Sequence, residues 1–476
     1  MITHRKSLLI ALTGLLLLSG ITGGYGAAEK KRERISVREA VSVALLNNQD
    51  YKIAMQRLKA ADEKVNAVWG QLMPVLESEA SLARQKAESG AMSMIDGQYD
   101  IKILQLKFGI NPGVFYNSLQ LSRKAYTAAR EETNRIKTDV EYNVIKSYFD
   151  LLLAGEVVKM RRDSLAVLKA NLKDVENLYR TGSVPRFELL QAQVQLKSQE
   201  PPLFEAENNY RVAMDLFNFH LGSESGDYTA DESVLTATDF KKPDDPLDSK
   251  MMRLTGIAMK NRPELLQLRL KRDMARHAEN ANSSYYLWPT FSVGGYYGKT
   301  KYMPNPVSPT ISVPGPAPMT LNPDFSQISG TSEWQTTWYV RVAATYRWGS
   351  LIPADTVRAQ EREERTRVRE AEEEITRLKR LVGISIKSSY SKLITSSMTI
   401  KSQKENVARA EEGLRIARES YRAGVIKNSE LLSAELSLTT AKTSYINAIN
   451  GYFIALAELK REMGINDEKM IFGEVK

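Results

Sequence analysis

Cysteine is absent from all 476 residues. No disulfide can staple the fold, no thiolate can bind a metal or act as a nucleophile, and no cysteine can carry a lipid. Histidine is nearly as scarce, with three residues. Two of them, His220 and His277, stand alone without a partner at ligand spacing, which favours structural or surface roles over a metal site. Past the N-terminal leader, no window reaches the roughly 18 apolar residues that a membrane-spanning helix needs. A large excess of one charge is missing too. The formal charge is +9, and removal of Arg5 and Lys6 with the leader lowers it by two. Signs alternate along segments such as Arg358 to Arg380, the mark of a solvated helix face, so no nucleic-acid partner is expected. No nucleophile elbow, metalloprotease signature or dinucleotide fingerprint is present. Gly294 to Thr300 ends like a phosphate loop, but Val293 stands where its first glycine is required, and a Pro-rich loop follows instead of a helix. The expectation is a protein with no enzymatic activity, cofactor or metal.

What is present begins with a leader. His4, Arg5 and Lys6 precede an apolar run, Leu8 to Leu18, and a small-residue patch, Gly20 to Ala28. This order predicts a secretory signal peptide over 1–28, cleaved after Ala28.

One stretch then occurs twice. Tyr179-Arg180-Thr181-Gly182 is followed after five residues by Glu188-Leu189-Leu190. Tyr421-Arg422-Ala423-Gly424 is followed after five residues by Glu430-Leu431-Leu432. Glycine just past a helix end allows a left-handed turn. Pro185, or Asn428 and Ser429, suit the start of the next helix, and each Glu falls in its first turn. Long helical patterns lead into both turns, over 116–180 and 354–423, and others leave them, over 184–221 and 428–463. The first exit helix is expected to kink at Pro201-Pro202 and to close at Gly222. Ile136, Val140, Leu151, Ala154, Val158, Leu165, Leu168, Leu172, Val175 and Tyr179 form a coiled-coil seam in the first long helix. Shorter helices precede the long ones, broken near Asn48 and Asn261 and ending before Pro74 and Pro289. The duplication predicts two repeats, 29–245 and 246–476, joined through a polar linker over 223–250; residues 29–35 are expected to be disordered.

Between the helices lie strand-like segments, at about 75–109 in the first repeat and about 290–300 and 337–349 in the second. The last is the clearest: Trp338, Val340, Val342, Ala344, Tyr346 and Trp348 alternate with Tyr339, Arg341, Ala343, Thr345 and Arg347. One face is apolar with aromatic ends and the other carries two arginines, as in a strand between lipid and water. On this reading Trp338, Val340, Val342, Tyr346 and Trp348 face lipid, and Arg341 and Arg347 face a lumen. The first-repeat strands alternate poorly, since Ile101, Ile103, Leu104 and Leu106 change face partway. Four strands cannot close a barrel in lipid, so at least two chains are required, and three would give twelve strands. Residues 301–335 read as an exposed Pro/Ser/Gly-rich insertion.

The doubled turn, the paired strand insertions, the leader, the breaks at Asn48 and Asn261 and the entries at Pro74 and Pro289 together resemble the TolC-type outer-membrane efflux protein family. The resemblance covers the whole mature chain. It implies a mostly α fold with β: long antiparallel coiled-coil helices forming an α-barrel, and four transmembrane strands per chain in a trimeric twelve-stranded β-barrel. It further implies a homotrimeric exit duct in the outer membrane of a Gram-negative bacterium, in contact with outer-membrane lipid and reaching into the periplasm. A periplasmic adaptor (membrane fusion) protein and an inner-membrane pump of RND or ABC type would be its partners. Tyr179, Arg180, Gly182, Glu188, Tyr421, Arg422, Gly424, Glu430 and Ser433 would lie at the periplasmic tip gate. Ser433 stands where a second tip acid is expected, and Ile426 where some members have arginine. The competing expectation is a periplasmic coiled-coil scaffold or adhesin with a small soluble sheet.

Overall fold

Each half of the chain is built on one long helix. The computed structural model describes residues 32–84, 95–223, 226, 228–233, 240, 247–304, 311–313, 319–321, 333–348, 355–465 and 471; the expected signal peptide lies outside them. In the first half α1 (Val37–Asn47), α2 (Gln49–Gly70), α3 (Pro112–Arg180) and α4 (Arg186–Leu221) follow one another. The second half repeats them as α5 (Leu247–Asn261), α6 (Pro263–Leu287), α7 (Thr356–Arg422) and α8 (Asn428–Met463). The helix α4 runs through Pro201 and Pro202 as one element.

Helix lengths dictate the assembly. Residue counts of 22 and 36 for α2 and α4 compare with 69 for α3, and 25 and 36 for α6 and α8 with 67 for α7. Two short helices therefore lie end to end along a long one of about 100 Å. Contacts give one layer, four helices wide: α2–α3–α6–α7 at the strand end and α4–α3–α8–α7 at the opposite end. The two halves thus share α3.

The buried seam repeats with the same period. Val140, Val144, Tyr148 and Leu151 are matched 242 residues later by Val382, Ile386, Tyr390 and Leu393, and Phe217 and Leu221 by Leu459 and Met463, all buried. Where α4 ends, Gly222 adopts φ +72° and a Cβ there would fall 2.6 Å from the Asn47 carbonyl, at the α1–α2 break. Gly464, at φ +64°, meets Asn261 in the same way at the α5–α6 break. At the first break Asn48 caps α2, accepting from the N–H groups of Asp50 and Tyr51. At the second, Arg262 takes the cap position without a side-chain cap and instead pairs with Glu462 at 2.9 Å.

The expected disorder over 29–35 is corrected within the described residues. Glu33–Ile35 form β1, which pairs in parallel with β4 (Tyr228–Ala230) in the segment read as linker. The Tyr148 hydroxyl fixes this pair to α3: it lies 3.2 Å from the carbonyl oxygens of Ile35 and Asp231 and accepts from the Asp231 N–H at 3.0 Å. Burial pushes its phenol up to about 12.

The main sheet is antiparallel in the order β2–β3–β5–β8, with β2 at Val75–Arg84, β3 at Ile95–Ile110, β5 at Thr290–Pro304 and β8 at Gln335–Thr345. A two-stranded hairpin, β6 (Ile311–Val313) and β7 (Met319–Leu321), lies within the insertion. The face change noticed in β3 is a β-bulge. The pairing jumps from Lys102 to Leu104 against β5, and between Glu77 and Glu79 on β2. Ile103 is the extra residue, and its carbonyl accepts from the Ser78 hydroxyl at 2.7 Å. The bulge returns Ile101, Leu104, Leu106, Phe108 and Ile110 to one face, because one added residue shifts the alternation by one.

Candidate functional site: the paired turns and the two faces of the sheet

Both long helices end in the same way. Gly182 and Gly424 have φ +75° and +70°, and a Cβ at either would meet nothing within 4 Å, so it is the left-handed backbone that calls for glycine. Ser183 N–H donates to the Leu178 carbonyl and Gly182 N–H to Tyr179; Val425 donates to Ser420 and Gly424 to Tyr421. These are two Schellman motifs. The next helices begin after Pro185 and Lys427, and neither has a side-chain cap. Asn428 is therefore not the cap that its sequence position suggested. It is buried and exchanges two hydrogen bonds with Asn171 on α3, at 2.6 and 3.2 Å.

Glu188 and Glu430 both sit in the first turn of their helices, half-buried and exposed respectively, where the helix dipole favours an acid. Neither carboxylate is paired with a cation among the described residues. Tyr179, Arg180, Arg422 and Ser433 are exposed. Tyr421 is half-buried and its enclosed hydroxyl has no hydrogen-bond partner among the described residues. Burial first, then the negative charges of Glu188 and Asp174, push its phenol above the ordinary range. That field joins the two turns: an acid from the first acts on a tyrosine of the second. Asp174 was missed in the sequence because it adjoins the seam residue Val175 and belongs to neither repeated motif. Across the second helix pair, Arg418 meets Glu435 and Lys442 meets Glu411.

At the other end, cross-strand pairing sorts the side chains onto two faces. One carries Phe291, Val293 and Tyr297 on β5, opposite Ala344, Val342 and Trp338 on β8, and Phe108 and Leu104 on β3. Val340, Val342 and Trp338 are 71%, 77% and 71% exposed, although nothing polar interrupts this band. The other face holds Glu77 paired with Lys107 at 2.6 Å and Glu79 with Lys102 at 3.0 Å. Arg341 lies on that face opposite Gly294, and Tyr339 packs edge-on to Tyr296 at 4.8 Å. The strand stops at Thr345, so Tyr346, Arg347 and Trp348 lie beyond it. Tyr346 donates to the Tyr286 carbonyl at 2.6 Å, and Trp348 stacks edge-on to Tyr346 at 5.0 Å, at the junction of sheet and helices. The Gly294 to Thr300 segment is mid-strand, not a phosphate loop.

Among the described residues no helix is long and apolar enough to cross a membrane, and no group of three His, Asp or Glu residues could hold a metal ion.

Known proteins share this arrangement. The family described as "Outer membrane efflux protein" matches residues 40–215 and 254–464. The outer membrane protein TolC of Escherichia coli K12 is 23% identical over 98% of this chain and 87% of its own. A probable outer membrane lipoprotein of Salmonella typhimurium, SilC, is 24% identical, but the match spans 39% of this chain and 40% of that protein. In fold, the Campylobacter jejuni CmeC outer membrane channel superposes with a TM-score of 0.70 at 17% identity, covering 90% of this chain and 85% of that one. The open state of the Neisseria gonorrhoeae MtrE channel gives 0.65 at 14% identity, over 90% and 89%. With both halves of the chain covered by the family match, the duplicated turn, the shared long helix and the amphipathic sheet have one explanation: the chain belongs to the outer membrane efflux protein family.

Proposed function

We propose that this outer-membrane efflux protein works as a homotrimer, in which three four-stranded sheets close one twelve-stranded barrel and three helical layers close one tunnel. The observation that carries this is the open sheet. Among the described residues it has two unpaired edges and one face with an exposed apolar band from Phe291 to Tyr297, and lipid tolerates that band only if the edges are closed by other strands. Three copies would supply them. A periplasmic scaffold with a soluble sheet would instead leave Trp338, Val340 and Val342 in water, an apolar patch that soluble proteins avoid.

The duct conducts cargo from periplasm to exterior without chemistry of its own. A periplasmic adaptor and an inner-membrane pump, of RND or ABC type, would load it. Arg341 would line the barrel lumen, and Arg347 the mouth where barrel meets helices. The two turns of each copy would form six around the periplasmic tip, with Tyr179, Arg180, Gly182 and Glu188 in one set and Tyr421, Arg422, Gly424, Glu430 and Ser433 in the other. Unpaired Glu188 and Glu430 would then present rings of acid to passing cations.

Heat-labile trimers that extract from outer membranes with detergent and conduct in planar bilayers are the expected result; a monomeric, soluble periplasmic protein would overturn it. In the same recordings, Glu430→Ala should weaken block by polyvalent cations by roughly fivefold, the equivalent of about 1 kcal/mol. Unchanged block would remove the acid ring.

A further inference from the structure

We propose that Lys299 and Lys301 form a binding site for lipid phosphate on the outside of the barrel, at its rim away from the helices. Along β5 the outward row reads Phe291, Val293, Gly295, Tyr297, Lys299 and Lys301. Tyr297 lies opposite Trp338, so an aromatic pair closes the apolar band, and the two lysines follow directly beyond it. Aromatic side chains mark the interface between hydrocarbon and headgroups, which places the lysines at headgroup depth. Two residues apart on one strand, they stand about 7 Å from each other on the same face, within reach of one headgroup.

The surroundings favour an anion. Lys299 is opposite Thr336 and Lys301 opposite Tyr99, whose ring lies 6.4 Å from that of Trp334. No acid shares the outward row among the described side chains, and neither lysine forms an ion pair with a described residue. The inward face differs: Lys102 and Lys107 are each neutralised by a glutamate. Lysine at this depth can keep its stem on the apolar band and its ammonium among phosphates. Threefold repetition would give six such charges around one barrel, a density that anionic headgroups complement.

This placement rests on the proposed trimeric barrel. The test therefore pairs two readouts on the full mature protein: conductance in planar bilayers, and lipid retained after passage through phosphatidylcholine vesicles containing bis-phosphorylated lipid A. Wild type should retain the phosphorylated lipid over a dephosphorylated preparation. The Lys299→Gln/Lys301→Gln double variant should lose that retention roughly tenfold, with conductance intact. A Lys299→Arg/Lys301→Arg variant should restore it, and Lys107→Gln on the inward face should leave it unchanged. Equal retention by the double variant, or no preference for the phosphorylated lipid, overturns the site; so does full displacement by millimolar inorganic phosphate, which would mark a small-anion site. Loss of conductance in wild type would instead sink the barrel itself.

Discussion

Leu190 and Leu432 hold the same place in the two repeated turns, yet Leu190 is 47% exposed and Leu432 only 5%. The backbone cannot explain this, because both turns are Schellman motifs with the same glycine geometry. Position in the layer does. The helix α8 lies between α3 and α7, whereas α4 is the edge element, with α3 on one side. Phe187, Leu190 and Val194 on α4 are all exposed in the single chain. The bracing differs as well. Asn428 is tied to Asn171, while Arg186, its counterpart, is exposed. Arg418 and Glu435 form a pair, while Glu176 and Gln193 stand at the matching positions of the first turn. Duplication preserved the chain path and let the side chains specialise, one turn for the interior of a protomer and the other for its edge.

Three experiments would break or sharpen that contrast. The largest effect belongs to the buried leucine. Leu432→Ala should destabilise the protomer by about 3 kcal/mol, since it leaves a cavity, while Leu190→Ala should cost less than about 1 kcal/mol in denaturant unfolding of the protomer. Leu190→Ala should nonetheless lower the temperature at which trimers dissociate on gels, and an unchanged temperature would mean that α4 is not an interface edge. Next, Asn428→Ala should cost about 1–2 kcal/mol by stranding the Asn171 amide, against less than about 0.5 kcal/mol for Arg186→Ala. Equal losses would show the two turns to be braced alike.

The smallest effect is electrostatic. The Tyr421 phenol is raised above its ordinary range, so the stabilisation of its neutral form is complete below that range and is lost as pH climbs through the raised value. Glu188→Gln removes one of the charges that raise it. The ultraviolet titration of Tyr421, isolated by difference from Tyr421→Phe, should then shift to lower pH, whereas Glu430→Gln should leave it in place. A shift of equal size in both variants would end the claim that Glu188 reaches across to the second turn.

Much of this was legible in the residues. Periodicity delivers the long helices to within a few residues, and the left-handed glycines of both turns are read correctly from local chain chemistry alone. The strand faces were legible where alternation is strict, as in β8. Elsewhere the determinants are not local. Three residues of β1 carry no pattern, and their order comes from a strand nearly 200 positions away and from a tyrosine hydroxyl on α3. Asn428 looks like a helix start because the same side chain suits a cap or a partner across a seam, and only the neighbour decides. Arg347 and Trp348 continue the alternation of β8 after the strand has ended, since a pattern has no means of announcing where its hydrogen-bonding partner stops.

The bulge at Ile103 also gives β3 something like a reading frame. Residues on either side of it are written in opposite phases, and the added residue reconciles them. Deleting Ile103 would therefore leave Ile101 and Leu104 on the same outward face and straighten the strand. A single deletion at Val340 in β8, which has no bulge to absorb it, would instead turn one arm of that strand inside out, bringing Arg341 onto the apolar face and Val342 onto the other. Among single-residue deletions in the sheet, the loss of Ile103 is thus the one that the pairing would forgive.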